Sequence, residues 1–130
     1  MKHNESKLQQ ECVLWFRAQF PHYKKLLFAI PNGGKRNIVT ASILKAEGAL
    51  AGVADLMLAM PRGEYHGLFI EMKHGKNDLS ESQEDFKRAV MKHGYRHITC
   101  RTFNEFMAGV LGYFNREDLV KALNFAGCHG

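Results

Sequence analysis

Apolar positions along this chain alternate between helical and strand periods, which predicts an α/β domain built on one sheet. Ser6 and Gln9 form a capping-box signature ahead of a helical stripe of Leu8, Glu11, Cys12, Trp15 and Gln19, widened by Val13, Phe16 and Phe20. Leu26 to Ile30 is a compact apolar strand closed by Pro31-Asn32-Gly33-Gly34. A helix follows from Asn37 to Glu47 and ends at Gly48. Val53 to Met60 and Gly67 to Lys73 are strand-length runs separated by the turn-forming segment Pro61 to His66. His74 to Asp78 reads as a polar loop, and Ser80 opens a helix with Gln83 in the capping-box position and Phe86, Val90 and His93 along its face. Tyr95 to Cys100 is the last strand. Thr102 and Glu105 then cap a helix whose Phe103, Phe106, Met107, Val110 and Phe114 form a core stripe, a spacing that suits packing rather than base stacking. The tail after Phe114 is the most linker-like piece, although Leu119, Val120, Leu123 and Phe125 allow a short helix, packed on the domain or reaching a second subunit.

Composition narrows the field. A chain of 130 residues suits one domain, with a core over about 5–114 and a tail over 115–130. Eighteen Lys and Arg against thirteen Asp and Glu give a net charge of +5 and a pI near 9.2, as a polyanion-binding protein has. No apolar run approaches the roughly twenty residues of a membrane span, and Met1 to Ser6 lacks the apolar stretch of a secretory signal, so a cytoplasmic location is expected. Cys12, Cys100 and Cys128 are odd in number and form no C-x-x-C pair, and the seven histidines match no zinc pattern. The Walker spacing is absent as well, which removes support for nucleotide hydrolysis.

The two central runs carry the candidate chemistry. If their turn centres near Gly63, Asp55 pairs opposite Glu71, about 5 Å away between Cβ atoms. Alternation puts Phe69, Glu71 and Lys73 on one face and Leu68, Ile70 and Met72 on the other. Carboxylates held that close repel and take up a proton unless a cation lies between them, and Mg²⁺ or Mn²⁺ suits oxygen ligands while leaving positions for phosphate. The competing reading of Glu71 and Lys73 is a half-buried structural ion pair. Glu11, on the inward stripe, needs a partner such as a metal or base, or else reaches water from the stripe's margin. Gln83 either caps its helix or turns its amide toward the Glu71 edge. Asn32, Gly33 and Gly34 with Lys35 and Arg36 make a phosphate-binding edge or an ordinary loop.

In order along the chain, Glu11, Ile30-Pro31-Asn32-Gly33-Gly34, Lys45-Ala46-Glu47-Gly48, Gly52-Val53-Ala54-Asp55-Leu56, Leu68-Phe69-Ile70-Glu71-Met72-Lys73, Ser80-Glu81-Ser82-Gln83 and Gly94-Tyr95 resemble the VRR-NUC domain. This is the virus-type replication-repair nuclease branch of the PD-(D/E)-x-K superfamily. The resemblance implies a single mixed sheet flanked by helices, a restriction-endonuclease-like core. It also implies that Asp55 and Glu71 are metal ligands assisted by the Met72 carbonyl, that Lys73 positions or activates water, and that Glu11 and Gln83 complete the site. Ala54 replaces the family's usual proline before its Asp, a change that affects strand rigidity rather than ligation.

Small stand-alone members of the family resemble phage nucleases that act as homodimers on branched DNA such as four-way junctions. A twofold dimer has its own rationale, because symmetrical junction resolution needs two related cuts. Lys24, Lys25, Lys35, Arg36, Lys73, Lys76, Lys87 and Arg88 are the candidate phosphate contacts. The alternatives are a branched-DNA-binding module without turnover and a restriction-type nuclease acting on linear duplex.

Overall fold

The computed structural model describes residues 2–31 and 38–129. Helix α1 (Lys2–Gln19) begins earlier than the Ser6 cap predicts. No Pro or Gly interrupts its first turns, and Glu5 suits the positive end of the helix dipole, so the helix runs through Ser6. The Ser6 hydroxyl accepts a hydrogen bond from Gln10 Nε2 at 3.1 Å, in place of the expected box with Gln9. Cys12, Phe16 and Phe20, spaced four apart, are buried, each large ring contributing roughly 2–3 kcal/mol of transfer free energy.

Strands β1 (Leu27–Ala29), β2 (Leu56–Leu58), β3 (Leu68–Met72) and β4 (Arg96–Cys100) form one sheet in that spatial order. The first three are antiparallel, and β4 runs parallel to β3 after the crossover helix α3 (Glu81–Lys92). The paired tracts are shorter than the apolar runs suggest, because turn geometry at Gly52 (φ +90) and the Pro61 segment limits β2. Backbone bonds continue past β1, from Ile30 N–H to the Asp55 carbonyl and from Ala59 N–H to the Leu26 carbonyl, both 2.8 Å. Leu27, Leu56, Leu58, Leu68, Ile70 and Met72 make a fully buried face against α1 and α4 (Phe103–Tyr113). Trp15 joins these two helices edge-on to Phe103 and Phe106, so the α4 aromatics are packing residues, as their spacing predicts.

Helix α2 (Ile38–Ala46) ends at Gly48, whose φ of +111 permits a double C-cap: Ala49 N–H reaches the Leu44 carbonyl at 2.8 Å and Gly48 N–H the Lys45 carbonyl at 3.1 Å. Its expected first residue, Asn37, lies outside the described residues.

The linker-like tail folds into α5 (Arg116–His129). Leu119 packs against the core, while Val120 and Leu123 are exposed and the Phe125 side chain lies outside the description. What ties α5 down is Asp118, only 1% exposed. Its carboxylate accepts Arg62 Nε and Nη2 at 2.7 Å, Tyr23 O–H at 2.6 Å and Asn115 N–H at 2.9 Å. The network joins α5 to the β2–β3 turn and to the short 3-10 turn Pro21–Tyr23. No helix among the described residues is long and apolar enough to cross a membrane.

On the sheet face under α3, His97 is buried with neither ring nitrogen hydrogen-bonded. Burial, with Lys87 and Arg96 nearby, pushes it down to about 4. Folding therefore favours the neutral ring. The stabilisation is complete above the ordinary histidine value near 6.5 and is lost as pH falls from there to about 4, on the order of 2–3 kcal/mol. Urea titrations at pH 7.5, 5.5 and 4.5 should show His97→Phe losing less stability across this window than wild type; equal losses would rule His97 out as the cause.

Candidate active site

The hairpin register settles the position of the acids. Leu56 faces Ile70 and Leu58 faces Leu68, so the turn is centred on Gly63 and the next pair outward sets Asp55 against Glu71. Asp55 is fixed by its own side chain, whose Oδ2 accepts the Met72 N–H at 2.7 Å. Glu71 is 3% exposed, and its Oε2 accepts Gln83 Nε2 at 3.1 Å. Its Oε1 is buried with no hydrogen-bond partner.

Gln83 fills both roles its sequence position allows. Its Oε1 accepts Ser80 N–H at 2.8 Å while its own N–H reaches Ser80 Oγ at 3.2 Å, which completes the capping box, and its amide nitrogen is left for Glu71. Gly52 makes this approach possible. A Cβ there would lie 2.3 Å from the Ser82 carbonyl oxygen, so only glycine lets the segment before Asp55 nest against the start of α3.

Burial, and then the charge of Asp55, pushes the Glu71 carboxyl well above the ordinary carboxylate range. Asp55 is raised too, by burial, with the Met72 N–H opposing. Without a cation the pair thus holds a proton, carried by Glu71 and shared with Asp55. Lys73 lowers both and extends the β3–β4 ladder through its N–H to the Cys100 carbonyl at 3.0 Å. Among the described residues the ion pairs are Arg62–Asp118, Arg88–Asp85 and Lys121–Glu117, so a structural Glu71–Lys73 bridge does not form.

The expectation that Glu11 turns inward is corrected. Glu11 is exposed, one position off the buried Cys12–Phe16–Phe20 line, while Glu5 lies on that line's N-terminal extension. Glu5 acts electrostatically on both Asp55 and Glu71, and its Oε2 accepts His74 N–H at 3.2 Å. The sequence signal was available, since Glu5 precedes Cys12 by two helical turns. Starting the helix at Ser6 concealed it.

The profile of the VRR-NUC domain matches residues 1–104 of the chain. The chain belongs to the VRR-NUC family. This is a family of nuclease-type, DNA-acting domains. A solved structure described as a VRR_NUC domain protein has the same fold, at a TM-score of 0.74 and 24% identity over 85% of this chain and 87% of that one. No curated protein matches the sequence significantly.

The remaining VRR-NUC candidates are scattered by comparison. Asn32, Gly33, Gly34, Lys35 and Arg36 lie outside the described residues. Lys24, Lys25 and Lys76 are exposed, Arg88 pairs with Asp85 in its own helix, and Lys87 stands beside His97. Cys12 and Cys100 are free and buried, and burial pushes both thiols up to about 12, a setting for inert core thiols.

Proposed function

We propose that this VRR-NUC domain is a Mg²⁺- or Mn²⁺-dependent endonuclease that hydrolyses phosphodiesters in branched DNA such as four-way junctions, acting as a homodimer. The observation that carries the reading is the buried, donorless Oε1 of Glu71 beside a second carboxyl and within the field of Lys73. A carboxylate oxygen removed from water and left without a donor is costly unless a cation meets it, so these residues fit a hard divalent ion.

Asp55 and Glu71 would hold that ion with help from the Met72 carbonyl. Among the described residues no three His, Cys, Asp or Glu side chains make a ready-built cage, which suits an ion that keeps part of its shell for water and substrate. When bound, the ion supplies Lewis-acid polarisation of the phosphate. Lys73 orients water and offsets charge developing on phosphorus. Gln83 holds Glu71 in one rotamer, and the Met72 N–H does the same for Asp55. We give Glu5, rather than Glu11, a supporting role beside the pair, through its charge and its hold on the His74 N–H.

Val39, Ile43 and Leu50, on and just after α2, are 69%, 53% and 59% exposed, apolar side chains available for pairing with a second copy. The excess positive charge supports a DNA partner, and selection by DNA shape needs no base-reading helix.

The test uses labelled four-way junction, flap and linear duplex with Mg²⁺, Mn²⁺ or EDTA, alongside sedimentation of the free protein. Branched substrates should be cut only with metal, and Lys73→Ala should lose activity. Glu5→Gln should reduce cleavage by about 10²-fold while Glu11→Gln stays near wild type. Junction binding with metal lanes identical to EDTA would instead indicate a module without turnover. One dominant product pattern on linear duplex would indicate the restriction-type alternative.

A further inference from the structure

The loop that leaves β3 directly after Lys73 is held from two sides. On the α1 side, Glu5 takes the His74 N–H. On the other, at the junction of β4 and α4, Arg101 Nη1 donates to the Gly75 carbonyl at 2.9 Å and to the Asn77 carbonyl at 2.7 Å. The chain reverses at Gly75, where φ is +69, and this brings two carbonyls to a single guanidinium nitrogen. Arg101 is itself anchored, because its N–H donates to Glu105 Oε1 at 2.7 Å in the first turn of α4.

A cation at the rim of a DNA-cutting site invites assignment as a phosphate contact. The geometry here points to a different role. We propose that Arg101 is a positioning residue: by gripping the Gly75 and Asn77 carbonyls it fixes the loop that has Lys73 at its root and the exposed Lys76 at its crest. The role rests on the nuclease reading above for its effect on turnover, but not for its effect on the loop. Both bonds are charge-assisted, and both come from one planar nitrogen with two hydrogens, an arrangement that the rotating ammonium of lysine does not reproduce. The loop makes no strand or helix bonds of its own across Gly75 to Asp78, and its α1 side is held by the Glu5 bond and a longer Asn4 Nδ2–His74 Nε2 contact of 3.5 Å, so the two Arg101 bonds are what hold its far side.

Two variants, Arg101→Lys and Arg101→Ala, separate grip from charge. In metal-free protein without DNA, trypsin cleavage after Lys76, followed by mass spectrometry, should accelerate about tenfold or more in both, the equivalent of at least one of the two charge-assisted bonds lost. Thermal midpoints read in parallel identify any variant that unfolds globally. On a branched substrate with Mn²⁺, kcat should fall by about tenfold or more in both variants, with KM within about twofold of wild type. If Arg101→Lys matches wild type in tryptic rate and kcat while Arg101→Ala raises KM, the residue is a phosphate contact and the proposal is wrong. Unchanged tryptic rates in both variants would also overturn it. A wild-type protein that cuts no DNA would defeat the nuclease reading separately, since the tryptic result still decides whether Arg101 orders the loop.

Discussion

Glu71→Gln should reduce DNA cleavage by about 10³-fold or more while leaving the folded protein at least as stable as wild type. The two halves of this expectation have one cause. In the metal-free chain Glu71 is buried, its Oε1 lacks a donor, and the neighbouring Asp55 raises the energy of its charged form. An amide of the same shape keeps the Gln83 contact through its carbonyl, carries no charge, and turns an N–H toward Asp55. The amide presents permanently the hydrogen that the acid holds only as a shared proton, so the exchange should cost nothing and gain up to about 1 kcal/mol, or a few degrees in thermal midpoint for a domain of this size. The same change removes a ligand charge from the proposed cation site. Cleavage assays and melting curves on one preparation check both halves. Lost activity with a sharply lower midpoint would mean that Glu71 holds the fold together rather than serving chemistry.

The second large effect lies away from the acids. Asp118→Ala should destabilise the protein by roughly 3 kcal/mol, lowering the thermal midpoint by about 10 °C. The figure is near the low end for a broken buried ion pair because Arg62 retains 21% side-chain exposure and can recover some hydration. Burial works to raise the Asp118 carboxyl, but Arg62, Tyr23 and the Asn115 N–H outweigh it and hold the group down at about 2. Since the folded value lies below the unfolded one, this stabilisation is whole above pH 4 or so and disappears as pH falls to about 2. Denaturation at pH 7 and pH 2.5 should therefore find the gap between Asp118→Ala and wild type much narrower in acid. A midpoint within about 2 °C of wild type at pH 7 would show that the network adds little.

The parts of this protein that were legible in its sequence are those governed by short-range rules. A turn centred on Gly63 and strict alternation along β3 were enough to bring Asp55 and Glu71 together. The capping box at Ser80 placed Gln83 at the start of α3, close to the acids, though which of its two roles would prevail could not be read, and the structure has both. The misreadings have physical reasons too. Ser6 and Gln9 carry a start signal that the uninterrupted helix overrides, and a helix begun at Ser6 leaves out Glu5, the acid that lies toward the Asp55–Glu71 pair. No local pattern marks Asp118, because its chief partner, Arg62, is 56 positions away in the chain. Arg101 likewise has no local signal, since its role depends on the Gly75 reversal that folds two carbonyls onto it.

The acids gather where β2 begins and β3 ends, whereas the Arg62–Asp118 network clasps the turn at the other end of the same two strands. The stabilising network and the proposed site are thus built at separate poles of one hairpin. If the acids are the reaction centre proposed above, tolerance to heat or acid should be tunable at the turn without touching it, which would spare this scaffold the usual bargain in which a hardier enzyme is a slower one.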